Sequence, residues 1–309
     1  MATRTALITG ASSGLGLSAA TELARDANWH VVITGKDQHR AGAVAGPIGA
    51  EALALDLGSL DDVRSFAARF AAGGRPPLRA LVCNAGIQHI SGLALSKDGY
   101  EATFAVNHLG HFLLANLLLD QLVAGSRVVV VASDTHDPAK STGMPAPRYT
   151  SAAELARGDD GWALGDPPAI AGRRRYTTSK LCNVLFTYEA ARRWESRHIT
   201  CNAFNPGLMP GTGLARDYPA YQRLAWRYLM PALTVMRPGI NTPRTSGRAL
   251  ARLVSDPGLE GVTGRYWSGR EEIRSSEESY DLSKADDLWQ TSVALTALER
   301  SAALDPGAG

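Results

Sequence analysis

The feature that most constrains the fold is a repeated alternation of short apolar runs with longer amphipathic stretches. The apolar runs lie at residues 5–8, 30–33, 52–55, 80–83, 127–131 and 199–204. Runs of this length without polar–apolar alternation are typical of strands buried on both faces, as in a parallel sheet covered by helices. Helical patterns lie between them, at residues 15–26, 60–72 and 176–197. The sequence therefore predicts an α/β fold with a doubly wound parallel sheet.

We find no internal repeat beyond this alternation and no linker long enough to separate domains, which predicts a single domain over residues 1–309. Two stretches interrupt the rhythm. Residues 134–175 are rich in Pro, Gly, Asp and Arg, and we interpret them as an insertion loop. Residues 207–245 carry five prolines around an aromatic segment, and we predict a substrate lid there. An amphipathic helix packed on the body of the domain is an equal alternative. A late strand is expected at residues 264–267.

Composition and charge exclude several classes of protein. Lysine plus arginine (32) nearly balances aspartate plus glutamate (30), which argues against a mainly electrostatic nucleic-acid or membrane binder. The most apolar helical pattern, around residues 109–124, is too polar for a membrane span. Three scattered cysteines predict neither a disulfide framework nor a zinc site, and an apolar strand directly after the first four residues leaves no room for a signal peptide. We therefore expect a cytoplasmic protein.

A glycine-rich turn directly follows the first predicted strand, within Thr9-Gly-Ala-Ser-Ser-Gly-Leu-Gly16. Glycines between a buried strand and a helix permit the backbone to approach a pyrophosphate, which then lies at the helix N-terminus. An ordinary strand-to-helix turn is the alternative. The residues predicted to bind a dinucleotide here are Gly10, Ser12, Ser13, Gly14, Leu15 and Gly16.

The end of the second predicted strand indicates which dinucleotide is bound. An acidic residue there would bind the ribose hydroxyls of NAD, whereas a cation suits the 2′-phosphate of NADP. Lys36 stands in the place of the cation, which favours NADP(H); the alternative is a solvated lysine, with Asp37 contacting the ribose. Polar turns after the next two strands are candidates for the adenosine side, or else simple caps: Asp56, Leu57, Asn84, Ala85 and Gly86.

The candidate chemistry is carried by Tyr176 and Lys180, which lie four residues apart on one predicted helical face. An ammonium group near a phenol favours the phenolate and brings its pKa towards the working range of an acid–base catalyst. Ser133 ends an apolar strand, where a hydroxyl would reach a ligand. Asn107 is a polar residue in a largely apolar helix and is a further candidate site residue. The alternative is a buried amide that is paired with backbone.

Together and in this order, these motifs resemble the short-chain dehydrogenase/reductase family over about residues 5–295. The segments VNHLGHFLLANLLL, YTTSKLCNVLF, NPGLMPGTGL and ARLVSDPGLEGVTGRYWSG resemble the branch that contains light-dependent protochlorophyllide reductases and retinol-dehydrogenase-like reductases. The resemblance implies a single Rossmann domain and an oxidoreductase.

The resemblance also implies roles for individual residues. Tyr176 would donate or accept the substrate proton, and Ser133 would hydrogen-bond the substrate oxygen. Lys180 would bind the nicotinamide ribose and lower the pKa of Tyr176, while Asn107 would hold a water that links Lys180 to solvent. The residues implied to lie against the nicotinamide are Pro206, Gly207 and Thr212.

The chain departs from the family pattern in two places. Tyr176 follows Ser133 by 43 residues, so residues 134–175 are an insertion that we cannot match residue by residue to the protochlorophyllide branch. The expected threonine after Pro-Gly is one place late, at Thr212. Cys182 occupies the position of a cysteine in the photoenzymes, although a small buried hydrophobe is the preferred interpretation. Three of the seven histidines, His108, His111 and His136, could suggest a metal site. No partner carboxylate or cysteine spacing supports one, so we expect packing or surface histidines and no metal.

Three functions follow as hypotheses. The first is an NADP(H)-dependent carbonyl reductase or alcohol dehydrogenase that acts on a bulky, largely apolar small molecule. The second is a light-driven reduction of a tetrapyrrole C=C bond, and the third is a non-catalytic NADP(H)-sensing protein. Intact Ser133, Tyr176 and Lys180 argue against the third. Both a monomer and a homodimer are compatible with the sequence.

Overall fold

The computed structural model describes residues 1–158, 165–209 and 241–298. Eight strands form one sheet in this part of the chain. They are β1 (Arg4–Ile8), β2 (Trp29–Gly35), β3 (Glu51–Ala54), β4 (Leu78–Cys83), β5 (Leu122–Val131), β6 (Thr200–Asn205), β7 (Tyr266–Ser268) and β8 (Glu271–Ile273). The strand order is β3-β2-β1-β4-β5-β6-β7-β8, and every pairing is parallel except that of β7 with β8. This order places the carboxyl ends of β1, β4, β5 and β6 side by side.

Helices cover both faces of the sheet. They are α1 (Gly14–Leu23), α2 (Gln38–Ala45), α3 (Leu60–Ala71), α4 (Ala102–Phe104), α5 (Gly110–Leu117), α6 (Ala152–Arg157), α7 (Pro168–Arg193), α8 (Pro243–Ser255) and α9 (Leu282–Leu295). A π-helical turn, Ala105–Leu109, joins α4 to α5. The doubly wound α/β prediction is confirmed.

Two large apolar cores, one on each face, hold the helices to the sheet, and a third, smaller cluster contains Tyr266. One core contains side chains of α3, α5, α7 and α9, and its centre is an aromatic group in which Trp289 packs edge-on against Phe112. The other contains side chains of α1 and α8. Strands β1, β4 and β5 contribute to both cores, which is the physical reason that their C-terminal parts are continuously apolar.

The structure differs from the sequence-based expectations at several boundaries. The helix that carries Tyr176 begins at Pro168, eight residues before the predicted start; a proline fits the first helical turn because its missing N–H has no partner there. Helix α6 also lies within the predicted insertion loop. Residues 122–124, expected in a helix, begin β5, and the antiparallel β8 has no sequence signal.

Most of the predicted lid falls on residues 210–240, outside the described residues. Among the helices that the structure describes, none combines the length and the hydropathy that crossing a bilayer requires.

Candidate active site

The glycine-rich turn after β1 lies directly against the turn after β4. Gly10 has a φ of 63°, and a Cβ there would lie 2.7 Å from the Cα of Ala85. A Cβ on Gly16 would lie 2.6 Å from Nδ2 of Asn84 and 2.9 Å from the Cα of Ala11. Only glycine fits such approaches without displacing the neighbouring backbone. The predicted turn is therefore a cradle built from main chain.

Thr9 joins these two turns through hydrogen bonds. Its Oγ1 accepts from the backbone N–H groups of Asn84, at 2.9 Å, and of Ala85, at 3.0 Å. The amide Nδ2 of Asn84 donates back to the Thr9 carbonyl at 2.7 Å. Sequence reasoning included Thr9 only as the start of the glycine motif, because a single threonine carries no local signal of partners 75 and 76 residues away.

At the end of β2, Lys36 and Asp56 form an ion pair. Nζ of Lys36 lies 3.1 Å from Oδ2 of Asp56, and Nζ of Lys97 lies 3.2 Å from the same oxygen. Burial acts to raise the pKa of Asp56, but hydrogen bonds from the two lysines hold that pKa below its usual value. The Lys36 side chain is 77% exposed and accessible to a ligand. Lys97, which the sequence analysis missed, follows no motif.

Asp37 has a structural role in this region. Its carboxylate accepts from the backbone N–H of Arg40 at 3.1 Å and caps α2. This contact gives Asp37 a function that does not need a ribose. It therefore weakens the alternative in which Asp37 contacts an NAD ribose.

The remaining residues predicted at the dinucleotide are divided between surface and core. Ser12 is half-buried and Ser13 is exposed, just before the N-terminus of α1. The side chains of Leu15 and Leu57 are each 6% exposed and belong to the two apolar cores. The two leucines therefore position the turns through packing.

Asn107 lies in the π-helical turn, where Gly110 N–H donates to the carbonyl of Ala105, five residues back. The Oδ1 atom of Asn107 accepts from Ile87 N–H at 2.8 Å, and its Nδ2 donates to Ile87 O at 3.0 Å and to Ser179 Oγ at 2.9 Å. Asn107 is therefore a buried amide that is paired mainly with backbone, which is the alternative that the sequence also allowed. Extra residues in a helical turn redirect side chains and are frequent at functional sites.

Gly86 connects Asn107 to Lys180. A Cβ on Gly86 would lie 3.4 Å from Oδ1 of Asn107 and 3.6 Å from Nζ of Lys180. The amide oxygen and the ammonium group therefore border the same small space beside the turn after β4.

Helix α7 brings Tyr176 and Lys180 to the carboxyl end of β5. Nζ of Lys180 donates to the Val131 carbonyl at 3.0 Å and lies 5.5 Å from the centre of the Tyr176 ring. Both side chains are buried, and burial lowers the pKa of Lys180 to about 8. Ser133 follows Val131 by two residues, and its Oγ accepts from Thr135 N–H at 3.3 Å. The structure thus places the phenol and the ammonium group next to the strand that ends at the predicted serine.

Asn205 joins the turn after β5 to the turn after β6. Its Oδ1 accepts from the N–H of Asp134 at 3.3 Å and from the N–H of Gly207 at 3.1 Å. The Pro206 carbonyl accepts from Ser246 Oγ at 2.6 Å, which fixes this turn to α8. Pro206 and Gly207 therefore lie beside the Ser133 segment, whereas Thr212 lies outside the described residues.

The three histidines and Cys182 are buried. Nε2 of His108 lies 2.9 Å from Ser292 Oγ, and burial lowers the pKa of His108 to about 3. Burial likewise lowers the pKa of His111 to about 4, and its ring bridges Thr9 Oγ1, at 2.8 Å, to the Asn107 carbonyl, at 3.1 Å. Within residues 1–158, 165–209 and 241–298, no group of three His, Cys, Asp or Glu side chains could hold a metal ion.

Burial raises the pKa of the Cys182 thiol, as expected for a packing residue.

Comparison with known sequences gives consistent results. Residues 4–150 match the model of the short chain dehydrogenase family. Protochlorophyllide reductase A of Oryza sativa subsp. japonica is 38% identical over 94% of this chain and 80% of that protein. The protochlorophyllide reductase of Daucus carota is 36% identical over 94% of this chain and 78% of that protein.

Solved structures show the same fold. An uncharacterized protein from Mycobacterium paratuberculosis aligns with a TM-score of 0.70 at 30% identity, over 96% of this chain and 94% of that one. A short chain dehydrogenase from Burkholderia cenocepacia in complex with NADP aligns with a TM-score of 0.62 at 25% identity, over 86% and 96%. The strand order, the glycine cradle, the Tyr176–Lys180 pair and these similarities lead to one conclusion: the chain belongs to the short-chain dehydrogenase/reductase family of oxidoreductases.

Proposed function

We propose that this oxidoreductase interconverts a carbonyl and an alcohol on a bulky, largely apolar substrate, with NADP(H) as the hydride carrier and Tyr176 as the general acid and base. The observation that carries the proposal is the position of the Lys180 ammonium group. It is hydrogen-bonded to Val131 O at 3.0 Å and lies 5.5 Å from the Tyr176 ring. A buried cation beside a buried phenol is an arrangement suited to proton transfer.

The residues at the carboxyl ends of β1, β2 and β4 fit NADP(H). The main-chain cradle at Gly10 provides close approach for a pyrophosphate, and the exposed Lys36 supplies the cation suited to a 2′-phosphate. When bound, the dinucleotide supplies or accepts a hydride at its nicotinamide. Pro206 and Gly207 border the place where that ring would lie in this proposal.

Three side chains transfer the proton and stabilise the charge that forms during the reaction. Tyr176 donates its phenolic proton to the carbonyl oxygen during reduction and takes a proton from the alcohol during oxidation. The Lys180 ammonium group stabilises the phenolate formed in reduction, because opposite charges attract strongly where water is excluded. The Ser133 hydroxyl donates a hydrogen bond to the same oxygen, which stabilises negative charge that develops there.

Asn107 supports proton return to Lys180. Its Oδ1 accepts one hydrogen bond at 2.8 Å, from Ile87 N–H, and borders the same space as the Lys180 Nζ. An amide oxygen has two lone pairs, so it can also accept from a water that contacts Lys180. This water would carry protons between Lys180 and solvent.

The test is to replace Tyr176 with Phe and to measure turnover with a panel of bulky ketones, aldehydes and secondary alcohols, followed by NADPH absorbance. General acid–base catalysis contributes about 10²- to 10⁴-fold, so kcat should fall by that factor while NADPH affinity is retained. Tyr100→Phe is a matched control, because it removes a phenolic hydroxyl that bonds Leu295 O at 3.1 Å, between a loop and the end of α9. Near-normal turnover by Tyr176→Phe would remove the assigned acid.

A second candidate function is reduction of a tetrapyrrole C=C bond. The specific observation in its favour is the 38% identity, over 94% of this chain, to a plant protochlorophyllide reductase. Illumination of the protein with NADPH and protochlorophyllide decides between the candidates. Formation of chlorophyllide supports the second, whereas turnover of carbonyl substrates in the dark without chlorophyllide supports the first.

A further inference from the structure

His136 lies immediately behind the serine assigned to the substrate oxygen. Its ring Nδ1 lies 2.6 Å from the carbonyl oxygen of Ser133, which also accepts from the backbone N–H of His136 at 3.1 Å. The other ring nitrogen, Nε2, lies 3.1 Å from the backbone nitrogen of Ser276. Both ring contacts are therefore made to main-chain atoms.

These two contacts determine where the imidazole proton lies. A carbonyl oxygen can only accept a hydrogen bond, and a backbone N–H can only donate one. Nδ1 must therefore be protonated and donate to Ser133 O, and Nε2 must be unprotonated to accept from Ser276 N–H. The ring is held in the neutral form with the proton on Nδ1.

The surroundings of the ring keep it neutral and in place. His136 is 1% exposed, and burial lowers its pKa below the usual value, although hydrogen bonding to Ser133 and the nearby carboxylates oppose that effect. The ring packs on Tyr266 with 4.9 Å between ring centres, and the Tyr266 hydroxyl donates to Oδ1 of Asp134 at 3.1 Å.

The contact with Ser276 also connects the Ser133 turn to the helix of the general acid. The neighbouring Ser275 hydroxyl lies 2.6 Å from the hydroxyl of Tyr188, which is on α7. Helix α7 also carries Tyr176. A hydrogen-bonded route therefore runs from the Ser133 carbonyl through His136 and the segment at Ser275 and Ser276 to α7.

Among the described residues, the Ser133 hydroxyl has one hydrogen-bond partner. That partner is the backbone N–H of Thr135, and at 3.3 Å the hydrogen bond is long. The direction of the hydroxyl consequently depends on how the Ser133 main chain is held.

We propose that His136 is a positioning residue that aims the Ser133 hydroxyl at the substrate oxygen and sets its place relative to Tyr176. This inference rests on the proposed function, in which Ser133 contacts that oxygen. His136 itself does not contact the substrate; it acts through the Ser133 carbonyl.

The first test compares His136→Phe with His136→Asn. Phenylalanine keeps a ring against Tyr266 but has neither nitrogen, whereas the asparagine amide can still donate to Ser133 O. Because small misplacements of reacting groups lower rates steeply, we expect kcat to fall about tenfold in His136→Phe, with the KM for NADPH unchanged. His136→Asn should recover part of that loss. Equal losses in the two variants, or a loss confined to KM, would overturn the proposal.

The second test is a double-mutant cycle with Ser133→Ala. If His136 acts through the Ser133 hydroxyl, His136→Phe lowers kcat in the native background and has no further effect once that hydroxyl is absent. A tenfold loss in both backgrounds would mean that His136 does not act through Ser133. The proposed function fails separately, if Ser133→Ala alone keeps nearly full activity.

The third measurement needs no turnover. Nitrogen and carbon NMR of the imidazole in the native protein distinguishes the two neutral forms, and we expect the proton on Nδ1 of His136. A proton on Nε2, or a ring that is charged at neutral pH, would contradict the hydrogen bonds on which the inference depends. Circular dichroism and thermal melting of each variant show whether its fold is intact.

Discussion

The two halves of the site are built differently. The turns after β1 and β4 touch backbone to backbone where Gly10 meets Ala85, and the Thr9 hydroxyl reinforces this contact by accepting from two consecutive N–H groups. Side chains connect the turn after β5 to its neighbours: Asn205 joins Asp134 to Gly207 in the turn after β6, and His136 joins Ser133 to Ser276 in the segment after β8. The proposed cofactor side therefore depends mainly on the close approach of two main chains, and the proposed substrate side depends mainly on side chains that bridge separate segments.

This difference has a functional meaning. A dinucleotide presents the same pyrophosphate and riboses to every enzyme that uses it, so a rigid main-chain cradle serves all of them. Substrates vary, and loops that are joined by side chains accept changes in length more readily than a close-packed turn does. The following four predictions test this contrast.

The largest effect is expected for Gly10→Ala, which breaks the main-chain contact on the cofactor side. A Cβ would lie 2.7 Å from the Cα of Ala85, and the φ of 63° is unfavourable for alanine. Strain and displacement together should cost about 3 kcal/mol, which corresponds to roughly a hundredfold loss of NADPH affinity if it falls on binding. Calorimetric titration of each protein with NADPH measures this loss of affinity.

The matched control for Gly10→Ala is Gly42→Ala. Gly42 lies in α2 with nothing within 4 Å of a Cβ there, so alanine should stabilise the helix by about 0.5–1 kcal/mol and leave NADPH affinity unchanged. Native affinity in both variants would show that the cradle does not depend on glycine.

The next effect is a pH dependence of the stability, caused by Lys180 on α7. Burial lowers the pKa of Lys180 from 10.5 to about 8, so the unfolded chain holds the proton more tightly than the folded protein. The burial penalty is complete below pH 8 and is relieved as pH rises towards 10.5, so stability should increase across that window by about 3 kcal/mol relative to Lys180→Met. Urea unfolding at several pH values, compared between the two proteins, measures it. A parallel pH dependence in both would contradict the assigned pKa.

A smaller effect is expected at Lys36, which tests whether a side chain also matters on the cofactor side. Lys36→Ala removes the cation that suits a 2′-phosphate, and the KM for NADPH should rise about tenfold while the KM for NADH stays the same. Lys97→Ala removes the other cation on Asp56, from the loop after β4, and should leave the ratio of the two KM values unchanged. A strong native preference for NADH would overturn the assignment of NADP(H).

The smallest effect on activity is expected at Cys182, which is packed in the core that contains α7. The thiol is fully buried, and burial raises its pKa, so it is a packing group in this structure. Cys182→Ala should lower the stability by about 1–2 kcal/mol through a small cavity and change kcat/KM less than twofold. Cys201→Ala, which empties a similar buried position, is the control. A large loss of kcat confined to Cys182→Ala would assign it a chemical role.

The same contrast explains how much could be predicted from the sequence. The sheet depends on runs of apolar residues, and the glycine turn and the Tyr176–Lys180 pair depend on particular residue types at a local spacing, so all three are visible in a single chain. The pairing of Lys97 with Asp56 and that of His136 with Ser276 join positions 41 and 140 residues apart in side-chain geometry that no local pattern encodes. Strand β8 has only three residues and depends on its partner β7.

The π-helical turn at Ala105–Leu109 has a consequence for changes in chain length. The turn holds one residue more than a regular helix would, so removal of one residue would restore the regular helix and redirect the Asn107 side chain. The contacts of Asn107 with Ile87 and Ser179 would then be lost together. A single-codon deletion within this turn should accordingly leave the flanking helices in place and still disrupt the site.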